Sequence, residues 1–251
     1  MTPSEYLHQL TQFKTIEELW HAHVSQMNRY GFDRLLYGYT LFKTRTSLGD
    51  PDDFVVLSNH SPEYLQGFLV DGLYSHAPML TWALENEGHA SWRAAQDMAA
   101  QGLLDCKARK VHEFNQAMNV CAGYTISFNS ATDRFKGAIS LAARHGLDQD
   151  AIDQIWAEHG SDIVLMNNVA HLKILTLPYH APNRALTKRQ REVLQWVGDG
   201  KTTQDIALLM GLTPATIEKH LRLARESLCV ETTAQAVLKA ALHNQMYAVE
   251  H

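Results

Sequence analysis

The chain has few cysteines, and no motif connects them. Its 251 residues contain three, which are Cys106, Cys121 and Cys229. Three scattered thiols are too few for a disulfide framework or a zinc site, and they indicate a protein with reduced thiols. No apolar run is long enough to span a membrane, and Glu5, His8 and Lys14 interrupt the start, where a signal peptide needs apolar residues. We therefore expect a cytoplasmic protein that does not bind a membrane.

Motifs for catalysis and metal binding are also missing from the sequence. The fourteen histidines include His21 and His23, but a spacing of two on a helix directs the two rings apart. No motif places Cys106 or Cys121 beside a histidine, as nucleophilic catalysis by a cysteine would need. We predict no metal site, no cofactor and no catalytic residue, and hence a protein that is not an enzyme.

A proline-containing stretch divides the chain into two parts. Pro178 and Pro182 follow a long helical pattern. Proline cannot continue a helix, and it favours an extended backbone in the residue before it. The sequence therefore predicts two domains joined by a linker. Their predicted bounds are 1–177 for the first domain, 178–185 for the linker and 186–251 for the second domain.

Charge differs between the two parts. Residues 184–251 carry nine Lys and Arg against seven Asp and Glu, a net charge of +2. The remaining residues carry 13 basic and 20 acidic side chains, a net charge of −7. A basic tail on an acidic body favours a nucleic-acid partner for the tail. The alternative is a four-helix module whose charges are simply solvated.

Capping residues predict four helices in the second domain. The predicted caps are Thr187, then Thr202 or Thr203, then Thr213, then Thr232 or Thr233. Gly211 tolerates the positive φ of a tight turn between the second and third helices, and Pro214 suits the first turn of the third. The fourth helix is expected to reach Met246. Two helices joined by a tight turn are typical of a helix-turn-helix.

The third of these helices has two chemically different faces. Its apolar stripe consists of Ile217, Leu221, Ala224 and Leu228. Its other face offers Thr216, Lys219, His220, Arg222 and Arg225. Cations and hydroxyls are the groups that contact phosphates and base edges. We predict that this face, together with Thr202 and Thr213, contacts DNA.

The second domain closely resembles the LuxR-type DNA-binding module. The matching positions are Leu186-Thr187, Arg189, Glu192-Val193-Leu194, Trp196, Gly200-Lys201-Thr202, Ile206-Ala207, Thr216-Ile217 and His220. Two positions depart from the family pattern: Gln190 replaces a glutamate that braces the helices, and Ser227 replaces a common lysine. The resemblance implies a homodimer that binds a two-fold-related DNA operator.

The first domain is expected to have an α+β fold, with an antiparallel sheet flanked by helices in an α/β/α sandwich. Strands are predicted at Leu35–Phe42, Phe54–Leu57, Tyr124–Phe128 and Ala138–Ala142 from their aromatic and β-branched residues. Helices are predicted at Thr15–Tyr30, Ser61–Leu73, Pro78–Asn86, Asp105–Met118 and Asp148–Leu177.

Residues 15–175 resemble the LuxR-type autoinducer-binding domain. The segment Ser58–Tyr64 is similar to the family's Asn-Tyr-Pro-x-x-Trp motif, and Pro78, Trp92 and Gly123 match further signature positions. Three positions differ from the family's signature residues. Tyr64 replaces a tryptophan, Phe68 replaces a tyrosine, and Ala77 replaces an aspartate.

This resemblance implies a pocket for a small signal. The residues predicted to line it are His60, Tyr64, Phe68, Ala77, Met79, Trp92, Thr125 and Ser140. In the family, the carboxylate at the position of Ala77 accepts a hydrogen bond from the amide N–H of an acyl-homoserine lactone. Alanine cannot accept it, and an unpaired buried amide costs about 1–3 kcal/mol. His76 is an alternative acceptor if the loop shifts by one residue.

Other interpretations of the same residues remain open. Aromatic residues such as Tyr64, Phe68 and Trp92 are more often plain core residues than ligand contacts, and Ser140 in a strand can simply bond a neighbouring backbone group. One functional hypothesis is therefore a transcriptional regulator controlled by a small, mostly apolar signal. Another keeps the DNA module but makes the first domain a dimerisation or protein-interaction unit, with Phe68 and Met79 filling the pocket. A phosphorylated receiver domain is disfavoured because the predicted strands do not alternate with helices.

Overall fold

The computed structural model describes residues 1–179 and 184–246. The chain forms two compact units, one from Met1–Gly49 and Val55–Leu175 and the other from Asp50–Phe54 and Thr176–His251. Residues 180–183 of the predicted linker lie outside the described residues. None of the described helices is both long enough and apolar enough to cross a bilayer.

The first unit is built on a five-stranded antiparallel sheet with the strand order β2-β1-β5-β4-β3. The strands are β1 (Phe32–Thr40), β2 (Val55–Ser58), β3 (Gly88–Ser91), β4 (Gly123–Ser127) and β5 (Lys136–Ala143). Four strands were predicted from the sequence. Edge strand β3 was not, because its sequence Gly-His-Ala-Ser lacks β-branched and aromatic residues, and only pairing with β4 makes it a strand.

Helices α2 (Ile16–Asn28) and α7 (Gln149–Ile174) pack on one face of this sheet, and α1 (Pro3–Gln12) packs against α7. Helix α1 was not predicted. It begins with a capping box between Thr2 and Glu5 and buries Tyr6 and Leu10. The Tyr6 hydroxyl is hydrogen-bonded to His23 Nδ1 on α2 at 2.6 Å, and His23 Nε2 lies 3.0 Å from Asn167 Oδ1 on α7. These bonds satisfy polar atoms in the core between the three helices.

The other face is bordered by short helices: α3 (Pro62–Leu65), α4 (Pro78–Glu85), α5 (Arg93–Ala100) and α6 (Cys106–Ala117). The prediction of one continuous helix over Ser61–Leu73 was wrong. Helix α3 passes into a π-helical turn at Gln66–Val70, and a 3₁₀ turn follows at Leu73–His76. Gly67 lies in the π turn against Phe114, whose ring would be 2.6 Å from a Cβ at that position. Gly72 adopts φ +80°, which ends the helical segment.

The described residues of the second unit form four helices: α8 (Lys188–Gly198), α9 (Thr203–Met210), α10 (Pro214–Leu228) and α11 (Thr233–Leu242). Thr187, Thr202, Thr213 and Thr232 each cap a helix through a side-chain hydroxyl, as predicted. Gly211 has the left-handed φ of +65° expected at the tight turn. The prediction that the fourth helix reaches Met246 was wrong, because Asn244 takes a φ of +52° and the backbone N–H of Gln245 bonds back to Ala240. The α+β architecture with a C-terminal helical domain is confirmed.

Candidate ligand pocket and nucleic-acid interface

The two faces of the sheet carry side chains of different size. The face towards α7 carries Leu35, Tyr37, Tyr39, Tyr124, Ile126, Ile139 and Leu141. On this side the Tyr37 hydroxyl is hydrogen-bonded to His171 at 2.8 Å, and the ring of Tyr124 stacks on Trp156 at 3.8 Å. Because side chains alternate along a strand, the residues between them face α3–α6. These residues are Leu36, Gly38, Gly123, Thr125, Ser127, Ala138, Ser140 and Ala142.

Small side chains leave open space over the middle of this second face. A Cβ added at Gly38 would meet no atom within 4 Å. Leu36, Ala138 and Ser140 are only half-buried, although every residue of the opposite face in β1 and β5 is buried. A glycine inside a strand is typical of a site where another group approaches the backbone closely. The space in front of Gly38 is therefore open.

An aromatic stack borders this face. The His60 and Tyr64 rings lie 4.2 Å apart at an interplanar angle of 20°, and Tyr64 stacks on Phe68 at 5.2 Å. Tyr64 donates from its hydroxyl to Asn115 Oδ1 on α6 at 3.2 Å. His60 is 7% exposed, and its Nε2 has no hydrogen-bond partner among the residues that the structure describes. Burial lowers the pKa of His60 to about 4, and the nearby Arg34 adds to this effect, so the ring is neutral at physiological pH.

The remaining predicted pocket residues lie around the same cluster. Met79 and Phe68 pack against Tyr64 and Trp92. The Trp92 indole N–H donates to Thr125 Oγ1 at 2.9 Å, and Ser140 is the cross-strand neighbour of Thr125.

Ala77 is buried and forms the N-cap of α4, without a side chain that could cap it. The 3₁₀ turn before it ends at His76, which is half-buried.

Two features of this site were missed by sequence reasoning. Asn115, the partner of Tyr64, lies 51 residues away on α6, and no local pattern connects them. Gly38 could have been found, because it interrupts an aromatic strand sequence where a side chain would normally add stability.

In the second unit, α10 presents the predicted basic face. Ile217, Leu221, Ala224 and Leu228 are buried in the core of the unit. Lys219 and Arg222 are exposed, whereas Thr216, His220 and Arg225 are half-buried. The Thr213 and Thr216 hydroxyls are hydrogen-bonded to each other at 2.9 Å at the start of α10. Thr202 is exposed at the start of α9 and bonds Asp205.

The cations of this face have different partners. Arg222 pairs with Glu226 one turn along the helix at 2.6 Å, and both side chains are more than half exposed, so the pair is readily broken. Arg225 donates to Thr233 Oγ1 at 2.9 Å and so connects α10 with α11. Within residues 1–179 and 184–246, Lys219 makes no ion pair. Lys219 is therefore the cation of α10 most available to a phosphate.

Comparisons with known proteins agree with both halves of this description. Residues 15–174 match the model of the autoinducer binding domain, and residues 184–240 match that of the bacterial regulatory proteins of the luxR family. The transcriptional activator protein LuxR of Aliivibrio fischeri is 23% identical over 192 residues, which cover 76% of this chain and 74% of that protein.

Two solved structures have the same fold. SdiA in complex with octanoyl-rac-glycerol aligns with a TM-score of 0.54 at 16% identity, over 99% of this chain and 96% of SdiA. CepR2 of Burkholderia cenocepacia aligns with a TM-score of 0.51 at 15% identity, over 68% of this chain and 94% of CepR2.

The fold and the two matched domains define a DNA-binding regulator with a ligand-binding domain rather than an enzyme. The chain belongs to the LuxR family of bacterial transcriptional regulators that carry an autoinducer-binding domain.

Proposed function

We propose that this regulator is controlled by a small, mostly apolar signal that lacks an amide N–H and binds between the sheet and helices α3–α6. The observation that carries the proposal is the open space at Gly38, on a sheet face made of small residues. A ligand there would bury apolar surface and stabilise the folded unit by mass action.

The polar groups of the site support a restricted ligand chemistry. The side chain of Ala77 has no acceptor for an amide N–H. The neutral His60 has an Nε2 without a partner among the described residues, and this nitrogen can bond a hydroxyl or a carbonyl. The SdiA complex contains octanoyl-rac-glycerol, an acyl ester with hydroxyl groups and no amide. A ligand of that kind has no amide N–H to leave unpaired at Ala77.

Thermal unfolding tests this proposal directly. Octanoyl-rac-glycerol and N-octanoyl-homoserine lactone have acyl chains of the same length, so the head group is the main difference between them. We expect the ester to raise the melting temperature of the full-length protein more than the amide does. A larger shift in melting temperature with the lactone would contradict a signal without an amide. If neither compound shifts the melting temperature, acyl signals of this length are excluded.

A second candidate function is a regulator that needs no signal. The observation that favours it is that Trp92 and Tyr64 already have internal hydrogen-bond partners in Thr125 and Asn115. Mass spectrometry of the purified protein discriminates between the two candidates. A protein that carries no small molecule and yet binds its operator would support this one, whereas strict ligand dependence would exclude it.

For the DNA end, we propose that a homodimer presents two α10 helices to a two-fold-related operator. The exposed Lys219 and Arg222 support this placement. The operator can be selected from a random-sequence duplex pool with the full-length protein. A selected site without two-fold symmetry, or a protein that remains monomeric on it, would contradict the proposal.

A further inference from the structure

The second unit contains a segment from a distant part of the sequence. Asp50–Phe54 lies in sequence between β1 and β2, yet it is part of the compact unit that holds the helix-turn-helix. Pro51–Asp53 forms a 3₁₀ turn capped by the side chain of Asp50, which accepts from the backbone N–H of Asp52. None of the positions that resemble the family signatures lies within these five residues.

Ion pairs hold this segment within the second unit, and those made by Asp53 are buried. Lys239 Nζ on α11 lies 2.7 Å from Asp53 Oδ2, and both side chains are less than 10% exposed. Arg184 Nη2 lies 2.7 Å from Asp50 Oδ2 and 3.5 Å from Asp52 Oδ2, and Arg184 Nε lies 3.5 Å from Asp53 Oδ1. Removing one partner of a buried pair leaves a charge in an apolar environment, which destabilises a protein far more than losing a surface pair does.

The same two cations contact the C-terminal end of α10. Lys239 Nζ donates to the carbonyl oxygen of Leu228, the last residue of that helix, at 2.8 Å. The guanidinium of Arg184 lies close to the side chain of Cys229, which ends α10 in a left-handed conformation with φ +52°. The last carbonyls of a helix have no intrahelical partner and carry partial negative charge, so they favour cations. Asp53 thus balances the charge of Lys239, which caps α10, the helix proposed to contact DNA (the recognition helix).

We propose that Asp50–Phe54 is an anchor for the recognition helix, so that DNA binding depends on a segment supplied by the connection between two strands of the ligand-binding unit. The segment continues at Val55 into β2, whose last residue, Ser58, accepts from the backbone N–H of His60. A change in β2 would therefore reach α10 through the covalent chain and the Asp53–Lys239 pair. Control of the anchor by a signal rests on the proposed function, whereas the anchor itself does not.

Hydrogen exchange of the full-length protein tests the anchor without any ligand or DNA. Asp53→Asn removes the carboxylate beside Lys239, and we expect the amides of α10 to exchange about tenfold faster or more. Asp52→Asn is the matched control. It makes the same chemical change one residue away, at a side chain that is 51% exposed and 3.5 Å from Arg184. We expect it to leave α10 unchanged.

A double variant keeps the test decisive if Asp53→Asn unfolds the second unit. Asp53→Asn with Lys239→Met removes both charges, so most of the protection of α10 should return. Affinity for the duplex selected with the wild-type protein should fall about tenfold in Asp53→Asn and recover in the double variant. Equal exchange in Asp53→Asn and Asp52→Asn, or a double variant no better protected than Asp53→Asn, would overturn the anchor. Failure of the wild-type protein to select any duplex would contradict the proposed function and leave the exchange result to decide the anchor.

Discussion

The imidazole of His60 lies 4.2 Å from the ring of Tyr64 and nearly parallel to it, and its buried Nε2 has no partner among the residues that the structure describes. A buried polar atom without a hydrogen bond costs about 1–3 kcal/mol. In a regulator with a ligand-binding domain, such an atom is a candidate contact for the ligand.

We predict that His60→Phe preserves the stack and weakens ligand binding. Phenylalanine keeps a flat ring against Tyr64 and removes the unpaired nitrogen, so the ligand-free protein should gain up to about 1 kcal/mol of stability. The thermal shift with octanoyl-rac-glycerol should decrease at the same time. His60→Ala provides the comparison, because it removes both the stack and the nitrogen and should lower the melting temperature. An unchanged ligand shift in His60→Phe would contradict a ligand contact at Nε2.

Filling the open space at Gly38 separates the two candidate functions. Gly38→Leu places a large side chain where a Cβ meets no atom within 4 Å, and we expect the protein to fold but to lose its response to ligand. Gly38→Ala is the control, which should be neutral or stabilising by about 0.5–1 kcal/mol while the ligand response remains. If the regulator needs no signal, Gly38→Leu should bind operator DNA as well as the wild-type protein does.

Ala77→Asp should shift the ligand preference towards acyl-homoserine lactones. The added carboxylate supplies the acceptor that an amide N–H needs. The affinity for the lactone should therefore increase by roughly one to two powers of ten. The carboxylate can also cap α4, whose N-cap Ala77 has no side-chain hydrogen bond. Titration of the wild-type and variant proteins with N-octanoyl-homoserine lactone and octanoyl-rac-glycerol gives the ratio of the two affinities. A ratio that does not change would show that residue 77 does not contact the head group.

Lys219→Ala should weaken DNA binding without unfolding the second unit. Lys219 is exposed and has no ion-pair partner in the part of the chain that the structure describes, so its loss removes a phosphate contact and little packing. The salt dependence of binding should lose a slope of about 0.9 per lost contact in each protomer. Glu226→Gln is the control with the opposite expectation. It removes the carboxylate that pairs with Arg222, so the affinity for DNA should stay equal or increase. Equal affinity and equal slope for Lys219→Ala would place the DNA on another surface.

Acid should destabilise the first unit through buried neutral histidines. Burial lowers the pKa values of His23, His60 and His171 to about 4 each, compared with 6.5 in the unfolded chain. Between these values the unfolded state binds more protons than the folded state. The stability that the neutral rings provide is therefore complete above pH 6.5 and is lost progressively as the pH falls to about 4. Urea midpoints of unfolding should decrease steadily as the pH is lowered across this range. The midpoints of His171→Gln should decrease less steeply, because this variant has one titrating ring fewer.

Local sequence patterns predicted the helix-turn-helix well. Each of its four helices begins at a threonine whose hydroxyl bonds a backbone N–H three residues ahead, and this geometry depends only on neighbouring residues. Edge strand β3 and the break in the helix at Gly67 could not be predicted in this way. Strand β3 exists because β4 pairs with it, and the π turn exists where Gly67 packs against Phe114 from α6.

The sequence alone determined the caps, the apolar stripe of α10 and the absence of a carboxylate at position 77, because each is a property of a residue type or of a short repeat. Only the tertiary structure decided which chemistry those residues meet. It placed Asn115 beside Tyr64, left His60 Nε2 without a partner among the described residues, and brought Asp53 to Lys239. These relationships join residues that are far apart in the chain, and their energies depend on burial, which exists only when the elements have packed together.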